Sequence, residues 1–212
     1  DRWIEPRVGL AQSDWKTALD QARTLVENKK VQVLVGTDLT QEEFVLVQDF
    51  ASKYWKASSV QHFGTPGIQS NKDDGPADPV LKMKSKTANL AGAEKLGIQP
   101  FKQLDAGTEL IVVIRGGRAT LPKLSGGTPV LGIGVFFDTE TTAWKDDLKV
   151  ILPTPGFGER SGTVVNFEGV EQKMNRAILP PRTAKELAEV FMMWAHQKSE
   201  LKRLCKQLSS LP

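Results

Sequence analysis

The sequence predicts an α/β fold with a mostly parallel sheet, and three observations support this prediction. Runs such as Val31–Gly36 and residues 109–115 are almost continuously apolar, as strands covered on both faces are. Segments with apolar residues at steps of three and four separate these runs, which is the period of an amphipathic helix. Strands and helices therefore alternate along the chain. This alternation is typical of a parallel sheet.

In the first half of the chain, the sequence pattern predicts two capped helices. The first begins at Ser13 or Asp14 and runs to about Asn28, because apolar side chains recur within it at helical spacing. The apolar run described above separates it from the second helix. That helix begins at Thr40, where Glu43, three residues later, completes a capping box.

The middle of the chain predicts a strand, a long loop and a short helix. Residues 59–63 form the strand. Residues 64–86 are rich in Gly and Pro, and a loop of this length in a compact domain is usually functional or mobile. A helix over residues 87–96 ends at Gly97, which suits the left-handed conformation common just after a helix.

The second half predicts three further strands and a final helix. The strands cover residues 109–115, 129–137 and 148–152, and Thr183 with Glu186 caps the helix. We therefore expect a Rossmann-like, doubly wound, mostly parallel sheet with helices on both faces. Residues 1–182 would form this domain, and residues 183–212 an amphipathic C-terminal helix packed on it or on a partner.

Composition excludes several functional classes. The chain of 212 residues carries 28 basic and 25 acidic residues, a net charge of +3, so no strong field for nucleic acid is expected. The single cysteine, Cys205, allows neither an internal disulfide nor a cysteine-based zinc or iron–sulfur site. No run approaches the roughly 18 apolar residues of a membrane span, so direct membrane insertion is not expected.

The segment after Pro153 is the most informative part of the chain. The strand before it delivers an irregular, glycine-rich loop to the carboxyl edge of the sheet, where open parallel sheets bind ligands. Polar residues such as Glu159 and Asn166 could bind a ligand there. The alternative is a structural loop whose side chains bond their own backbone. Asp38, after the first long strand, is either an anion-site or ribose element or a turn residue.

Known catalytic and phosphate-binding motifs are absent from the sequence. There is no Walker A sequence, no G-x-G-x-x-G after a strand and no G-x-S-x-G. Gly132 and Gly134 lie within an apolar strand and indicate a turn or bulge. Only His62 and His196 are available as imidazole ligands, so a histidine-rich metal site is excluded. We assign no catalytic residue and no metal ligand.

One set of residues resembles a known family. The runs T-E-T-T-A (139–143) and V-I-L-P (150–153), then Glu159, Gly162-Thr163, Asn166, Glu168-Gly169 and Gln172, resemble the C-terminal part of the molybdopterin oxidoreductase superfamily. Within that superfamily, the chain most resembles the C-terminal domain of the large iron–sulfur subunit of NADH:quinone oxidoreductase, respiratory complex I. Val170 departs from the pattern, because the family commonly has arginine there.

The resemblance implies a domain that carries no pterin and no other cofactor, within a parent subunit that carries iron–sulfur clusters. Its partners would be the other domains of that subunit and neighbouring subunits of the complex. It would lie in the cytoplasm, peripheral to the inner membrane. The following residues would be vestigial cofactor-binding positions: Asp38, Glu140, Thr141, Glu159, Gly162, Thr163, Asn166, Glu168 and Gln172.

Two alternatives stay open at this point. The chain could be the molybdopterin-dinucleotide-binding portion of a formate dehydrogenase-like oxidoreductase. In that case Asp38, Glu140, Thr163, Asn166 and Gln172 would line the cofactor. It could also be a free-standing nucleotide-binding domain with no role in redox chemistry.

Overall fold

The computed structural model describes residues 2–64, 89–124, 126–138 and 145–195. Almost all of the predicted loop over residues 64–86, the candidate residues Glu140 and Thr141, and the chain after residue 195 lie outside the described residues. The strands are β1 (Arg7–Val8), β2 (Ala11–Gln12), β3 (Val31–Gly36), β4 (Ser59–Phe63), β5 (Gln99–Pro100), β6 (Leu110–Arg115), β7 (Val130–Gly134), β8 (Leu148–Pro153), β9 (Gly162–Val165) and β10 (Glu171–Met174). The helices are α1 (Trp15–Val26), α2 (Gln41–Phe50), α3 (Leu90–Lys95) and α4 (Leu187–Ala195).

Eight of these strands form one sheet in the order β2-β1-β8-β7-β6-β3-β4-β5. Strands β3 to β8 run parallel, and β1 joins β8 antiparallel at one end. The chain proceeds from β3 outward to β4 and β5, then returns to β6 and proceeds outward the other way. The switch point therefore lies between β3 and β6, as in a Rossmann fold. The predicted α/β, Rossmann-like, mostly parallel sheet is confirmed, although the prediction had helices on both faces and the four described helices contribute their buried residues to one face only.

The core has one part on each face of the sheet, because successive strand residues point to opposite faces. Val33, Val112 and Ile133 pack on the side that receives the buried residues of α1, α2, α3 and α4. Leu34 and Ile151 pack on the other side, which among the described residues receives the following side chains from connecting segments: Trp3, Phe101, Leu104, Ala119, Leu121, Leu124 and Phe136.

The starts of α1 and α2 follow the predicted capping chemistry, whereas that of α4 does not: α4 begins at Leu187, and the Thr183 hydroxyl donates to the carbonyl oxygen of Ile4 at 2.7 Å instead of capping it. Asp14, rather than Ser13, caps α1, because its Oδ1 accepts a hydrogen bond of 2.9 Å from the Thr17 amide. At α2 the capping box is confirmed: the Thr40 amide donates to Glu43 at 2.8 Å, and the Glu43 amide donates to Thr40 Oγ1 at 3.3 Å. A single π-helical turn, Ala51–Trp55, then extends α2.

The short strands β1, β2 and β5 were not predicted, and two longer segments also differ from the sequence prediction. The strand predicted over residues 129–137 ends at Gly134, whose φ of +128° turns the chain. A side chain there would put its Cβ 1.9 Å from the carbonyl oxygen of Arg115, so only glycine fits. The loop predicted over residues 153–182 contains a short 3-10 turn, Phe157–Glu159, and the antiparallel hairpin of β9 and β10.

Candidate functional site

At the carboxyl edge, beside the switch point, Asp38 connects the ends of two strands. This residue lies in the turn between β3 and α2 and is buried. Its Oδ1 accepts a hydrogen bond of 2.9 Å from the amide of Gly116, and its Oδ2 accepts one of 2.8 Å from the amide of Ala119. Both amides follow β6, so one carboxylate ties the ends of two neighbouring strands together. Asp38 thus bonds the chain's own backbone with both oxygens.

Arg160 fills the space beside this carboxylate. Its side chain is 2% exposed, and its Nη1 lies 2.7 Å from Glu43 Oε1 in a buried ion pair. Its Nη2 donates to the backbone oxygen of Asp38. The guanidinium lies so close to Gly116 that a Cβ there would be 1.8 Å from Nη2. The glycine after β6 is therefore needed to admit Arg160.

The N-terminus of α2 is occupied by the chain's own carboxylates. A helix N-terminus attracts anions, and in a Rossmann fold it is where a pyrophosphate binds. Here Glu43 bonds the Thr40 amide and Arg160. Glu42 accepts hydrogen bonds from Thr163, at 2.9 Å from the amide and 2.8 Å from the hydroxyl. A phosphate would have to displace these contacts and would meet two negative charges.

Glu159 binds the start of the chain to the end of β8. Its carboxylate accepts hydrogen bonds of 2.6 Å from Arg2 Nη1 and 2.6 Å from the amide of Gly156. Arg2 also donates to the carbonyl oxygen of Thr154 at 2.9 Å. Burial alone would raise the pKa of Glu159, but the bonds from Arg2 and Gly156 and the charge of Arg160 outweigh it and lower the pKa.

Asn89 connects the hairpin to the same edge. Its buried amide donates to the carbonyl oxygen of Leu39 at 2.8 Å, and its Oδ1 accepts from the amide of Val165 at 2.7 Å and from Gln41 at 3.2 Å. A Cβ on Gly92 would lie 2.1 Å from Asn89 Oδ1, so glycine makes room for this contact. Strand β9 is thereby held against α2 and α3.

Glu186 adds a further carboxylate near this network. It forms an ion pair of 3.1 Å with Arg176, and both side chains are partly exposed. Burial raises the pKa of Glu186, and the nearby Glu43 carboxylate raises it further, so the pKa lies above its usual value despite the charge of Arg176. The charges of Glu43 and Arg160 thus act on the Glu186 carboxylate with opposite signs.

The sequence-predicted site residues lie at the carboxyl edge, on the β9–β10 hairpin, and in two cases outside the described residues. Asp38, Glu159 and Thr163 lie at the carboxyl edge, where each bonds the chain itself. Gly162 packs against Thr40, because a Cβ added at Gly162 would lie only 2.6 Å from Thr40 Cγ2. The remaining described candidates lie farther along the hairpin. Asn166 accepts hydrogen bonds of 2.9 Å from the backbone amides of residues 168 and 170, and Glu168 and Gln172 are exposed. Glu140 and Thr141 lie outside the described residues.

Sequence reasoning missed Arg160, Glu42 and Asn89. The partners of Arg160 are 117 and 122 residues away along the chain, so no local pattern marks it. Glu42 looks like an ordinary acidic residue of a first helical turn. Asn89 lies in the first turn of the helix predicted over residues 87–96, where its type is common. Only the packing of the hairpin against α2 brings these side chains together.

A second polar network lies on the face of the sheet that points away from α1, α2, α3 and α4. Gln32 is buried there, donates to Gln61 at 3.1 Å, and accepts from the Asp105 amide at 2.8 Å and the Thr108 hydroxyl at 3.1 Å. The hydroxyl of Ser59 is the main cause that lowers the pKa of Asp105, with that of its neighbour Ser58 adding to it. A cleft of about 680 Å³ adjoins this network. The network fixes the segment after β5 to the sheet.

Within residues 2–64, 89–124, 126–138 and 145–195, no three His, Cys, Asp or Glu side chains converge as a metal site would require. In the same ranges, no helix has the length and apolar character needed to cross a membrane. Comparison of the sequence with family models and with curated proteins gives no match.

Proposed function

We propose that the chain is a non-catalytic, pterin-free structural and docking domain of the large iron–sulfur subunit of NADH:quinone oxidoreductase, in the peripheral arm of respiratory complex I. Its partners are the other domains of that subunit and neighbouring subunits. It works in the cytoplasm, peripheral to the inner membrane, and the parent subunit supplies the iron–sulfur clusters. The resemblance of residues 150–172 to the superfamily signature supports this proposal.

One observation carries the pterin-free part of the proposal. The crevice at the switch point, where a Rossmann fold binds a dinucleotide, is filled by Arg160 with Glu43 and Asp38. The described residues at this edge do not fit a pterin dinucleotide. A pyrophosphate approaching α2 needs free amides and space beside glycine, whereas Arg160 packs on Gly116 and Glu42 and Glu43 occupy the first helical turn.

Calorimetric titration tests this part. Purified protein is titrated separately with a molybdopterin dinucleotide, NADH, ATP and GTP, and we expect no saturable heat. Saturable binding of the pterin dinucleotide would favour the formate dehydrogenase-like alternative. Saturable binding of NADH, ATP or GTP would favour the free-standing nucleotide-binding domain. Either result would refute the present proposal.

An assembly experiment tests the docking part. In cells that produce the parent subunit, these residues are replaced by a short flexible linker, and the complex is resolved on a native gel stained for NADH dehydrogenase activity. We expect the assembled peripheral arm to be lost. The matched control carries the exposed substitution Lys102→Glu in the intact domain and should assemble normally. Normal assembly without the domain would contradict a docking role.

A further inference from the structure

An apolar groove lies between α1 and α4. The two helices lie side by side and run in the same direction, because Trp15 at the start of α1 donates to the carbonyl oxygen of Thr183, and Arg23 near its end donates to that of Trp194. The groove has a volume of about 680 Å³, and its apolar lining consists of Trp15, Leu19, Met192 and Met193. Three of these four side chains stay only half-buried, so apolar surface remains for a further segment to cover.

Arg23 bonds the last carbonyl groups of α4. Its Nη2 donates to the carbonyl oxygen of Met193 at 2.6 Å, and its Nε donates to that of Trp194 at 3.2 Å. In a continued α-helix these two oxygens would accept the amides of residues 197 and 198. An arginine that bonds such carbonyls is typical of a helix C-terminus. The geometry therefore favours a change of chain direction after Ala195.

The sequence after Ala195 carries a second apolar face. Residues 196–212 lie outside the described residues, but leucines recur in their sequence at steps of three and four: Leu201, Leu204, Leu208 and Leu211. This is the spacing of a stripe along one face of an amphipathic helix, and the opposite face would carry Lys202 and Lys206. An isolated helix of this length is marginal in water, so the stripe needs an apolar surface to pack against.

The groove and the leucine stripe are within reach of each other. Because α4 forms one wall of the groove, a chain that reverses direction after Ala195 returns along that wall. Helix–helix connections usually take about 2–8 residues, so residues 196–199 suffice for the reversal. Residues 200–211 would form a helix of about 18 Å, enough to cover the roughly 12 Å of α1 from Trp15 to Arg23.

We propose that residues 196–212 fold back on α4 as an αα-hairpin and bury the leucine stripe in the groove between α1 and α4. Each apolar face then covers the other, and the covalent connection holds the segment at an effective concentration in the millimolar range. The C-terminal segment thus packs on its own domain rather than on a partner. This inference goes beyond the proposed function and is independent of it, because it needs only the two helices and the sequence that follows them.

Disulfide formation by Cys205, the single cysteine of the chain, tests the proposal. In the hairpin, Cys205 comes level with the middle of the groove, near Leu19 and Asp20. Asp20→Cys places a thiol on the rim of the groove, and Gln21→Cys places one at the next exposed position of α1, which does not line the groove. A disulfide requires Cα atoms within about 7 Å of each other.

The two variants are equilibrated in a glutathione redox buffer, and the effective concentration of each thiol pair is measured. We expect the value for Asp20→Cys to exceed that for Gln21→Cys at least about 10-fold. If α4 continued straight, Cys205 would lie about 15 Å beyond Ala195, out of reach of both positions.

Substitutions on the stripe show whether the leucines hold the segment in place. In the Asp20→Cys background, Leu204→Glu and Leu208→Glu should each lower the effective concentration about 10-fold, because a charge would enter the apolar groove. Lys206→Glu introduces the same side chain on the opposite face of the segment and should change the value less than about 2-fold. Far-UV circular dichroism confirms that each variant is folded.

Three results would overturn the proposal. Equal effective concentrations for Asp20→Cys and Gln21→Cys would mean that the segment has no preferred position on α1. Stripe substitutions with no more effect than Lys206→Glu would mean that the leucines do not bind the groove. A covalent dimer on a non-reducing gel, in place of the internal disulfide, would mean that the segment of a second copy occupies the groove.

Discussion

We expect the buried ion pair between Arg160 and Glu43 to stabilise the carboxyl edge. Arg160→Met keeps an unbranched side chain of similar length but removes the charge. The guanidinium is 2% exposed and Glu43 is 13% exposed, so the substitution leaves a carboxylate largely away from water. Breaking a buried pair in this way usually costs about 3–5 kcal/mol.

The structure sets the expected value at the lower end of that range. Glu43 keeps its hydrogen bond from the Thr40 amide after the substitution, which compensates part of its charge. We therefore expect Arg160→Met to reduce the free energy of unfolding by about 3 kcal/mol. For a chain of this size this corresponds to a fall in Tm of about 6–12 °C.

A double-mutant cycle isolates the pair. Arg160→Met, Glu43→Gln and the double variant are unfolded in urea, with tryptophan fluorescence and far-UV circular dichroism as probes. We expect a coupling energy of about 2 kcal/mol, because the double variant leaves no unpaired buried charge. The exposed pair of Lys53 and Asp49 is the matched control, for which we expect about 0.3–0.5 kcal/mol.

Two results would refute this reasoning. A coupling energy below about 0.5 kcal/mol would mean that Arg160 and Glu43 interact no more strongly than an exposed pair. A coupling energy that disappears in about 1 M salt would mean that solvent ions reach the pair, since salt screens buried pairs much less than exposed ones. In either case the edge would be open enough to admit a charged ligand, and the pterin-free proposal would lose its main support.

Three further predictions concern the scaffold. Gly134→Ala should reduce the free energy of unfolding by more than about 3 kcal/mol in urea, because its Cβ would clash with the carbonyl oxygen of Arg115. Phe191→Ala should cost about 3–5 kcal/mol in the same assay, because the ring stacks on Phe50 at 4.1 Å in the core. Burial lowers the pKa of His62 from its usual value of 6.5, so the unfolded state binds the proton more readily than the folded state. The free energy of unfolding should therefore fall as the pH drops below about 6.5, and His62→Gln should flatten this dependence between about pH 7.5 and 5.5.

Matched substitutions distinguish these effects from general disturbance. Gly9→Ala also places alanine at a positive φ, of +57°, but its Cβ would meet no atom within 4 Å. It should therefore cost only about 1 kcal/mol, which reports backbone strain alone. Phe167→Ala removes an exposed ring and should change stability by less than about 0.5 kcal/mol. If Gly134→Ala cost no more than Gly9→Ala, the close contact assigned to Gly134 would be wrong.

The sequence predicts the elements whose signals are local. It correctly locates the apolar run of β3 and the Thr40 capping box, because alternation and capping depend only on neighbouring residues. It does not predict the hairpin of β9 and β10, since β10 is a run of polar residues without an apolar face. The position of the hairpin depends on contacts from α2 and α3 that lie far away in the chain. Tertiary contacts decide such strands, not their own pattern.

The candidate site divides in the same way. The sequence identifies Asp38, Glu159 and Thr163 as polar residues of the carboxyl edge, because strand ends can be located from local patterns. It does not identify their bonding partners. Arg160 is a single basic residue after Glu159, and nothing near it indicates a pair with Glu43 more than a hundred residues earlier. Whether a polar edge binds a ligand or bonds itself is decided by such distant partners.

The polar groups of this edge find their partners within the chain. Buried amides and side chains without partners would cost about 1–3 kcal/mol for each group. Residues after β3 and after β8 supply the partners here. Arg160 pairs with Glu43, Thr163 donates to Glu42, and Asp38 accepts the amides after β6. The segment after β8 therefore stabilises the carboxyl edge, and we expect substitutions at Arg160 and Thr163 to lower the free energy of unfolding.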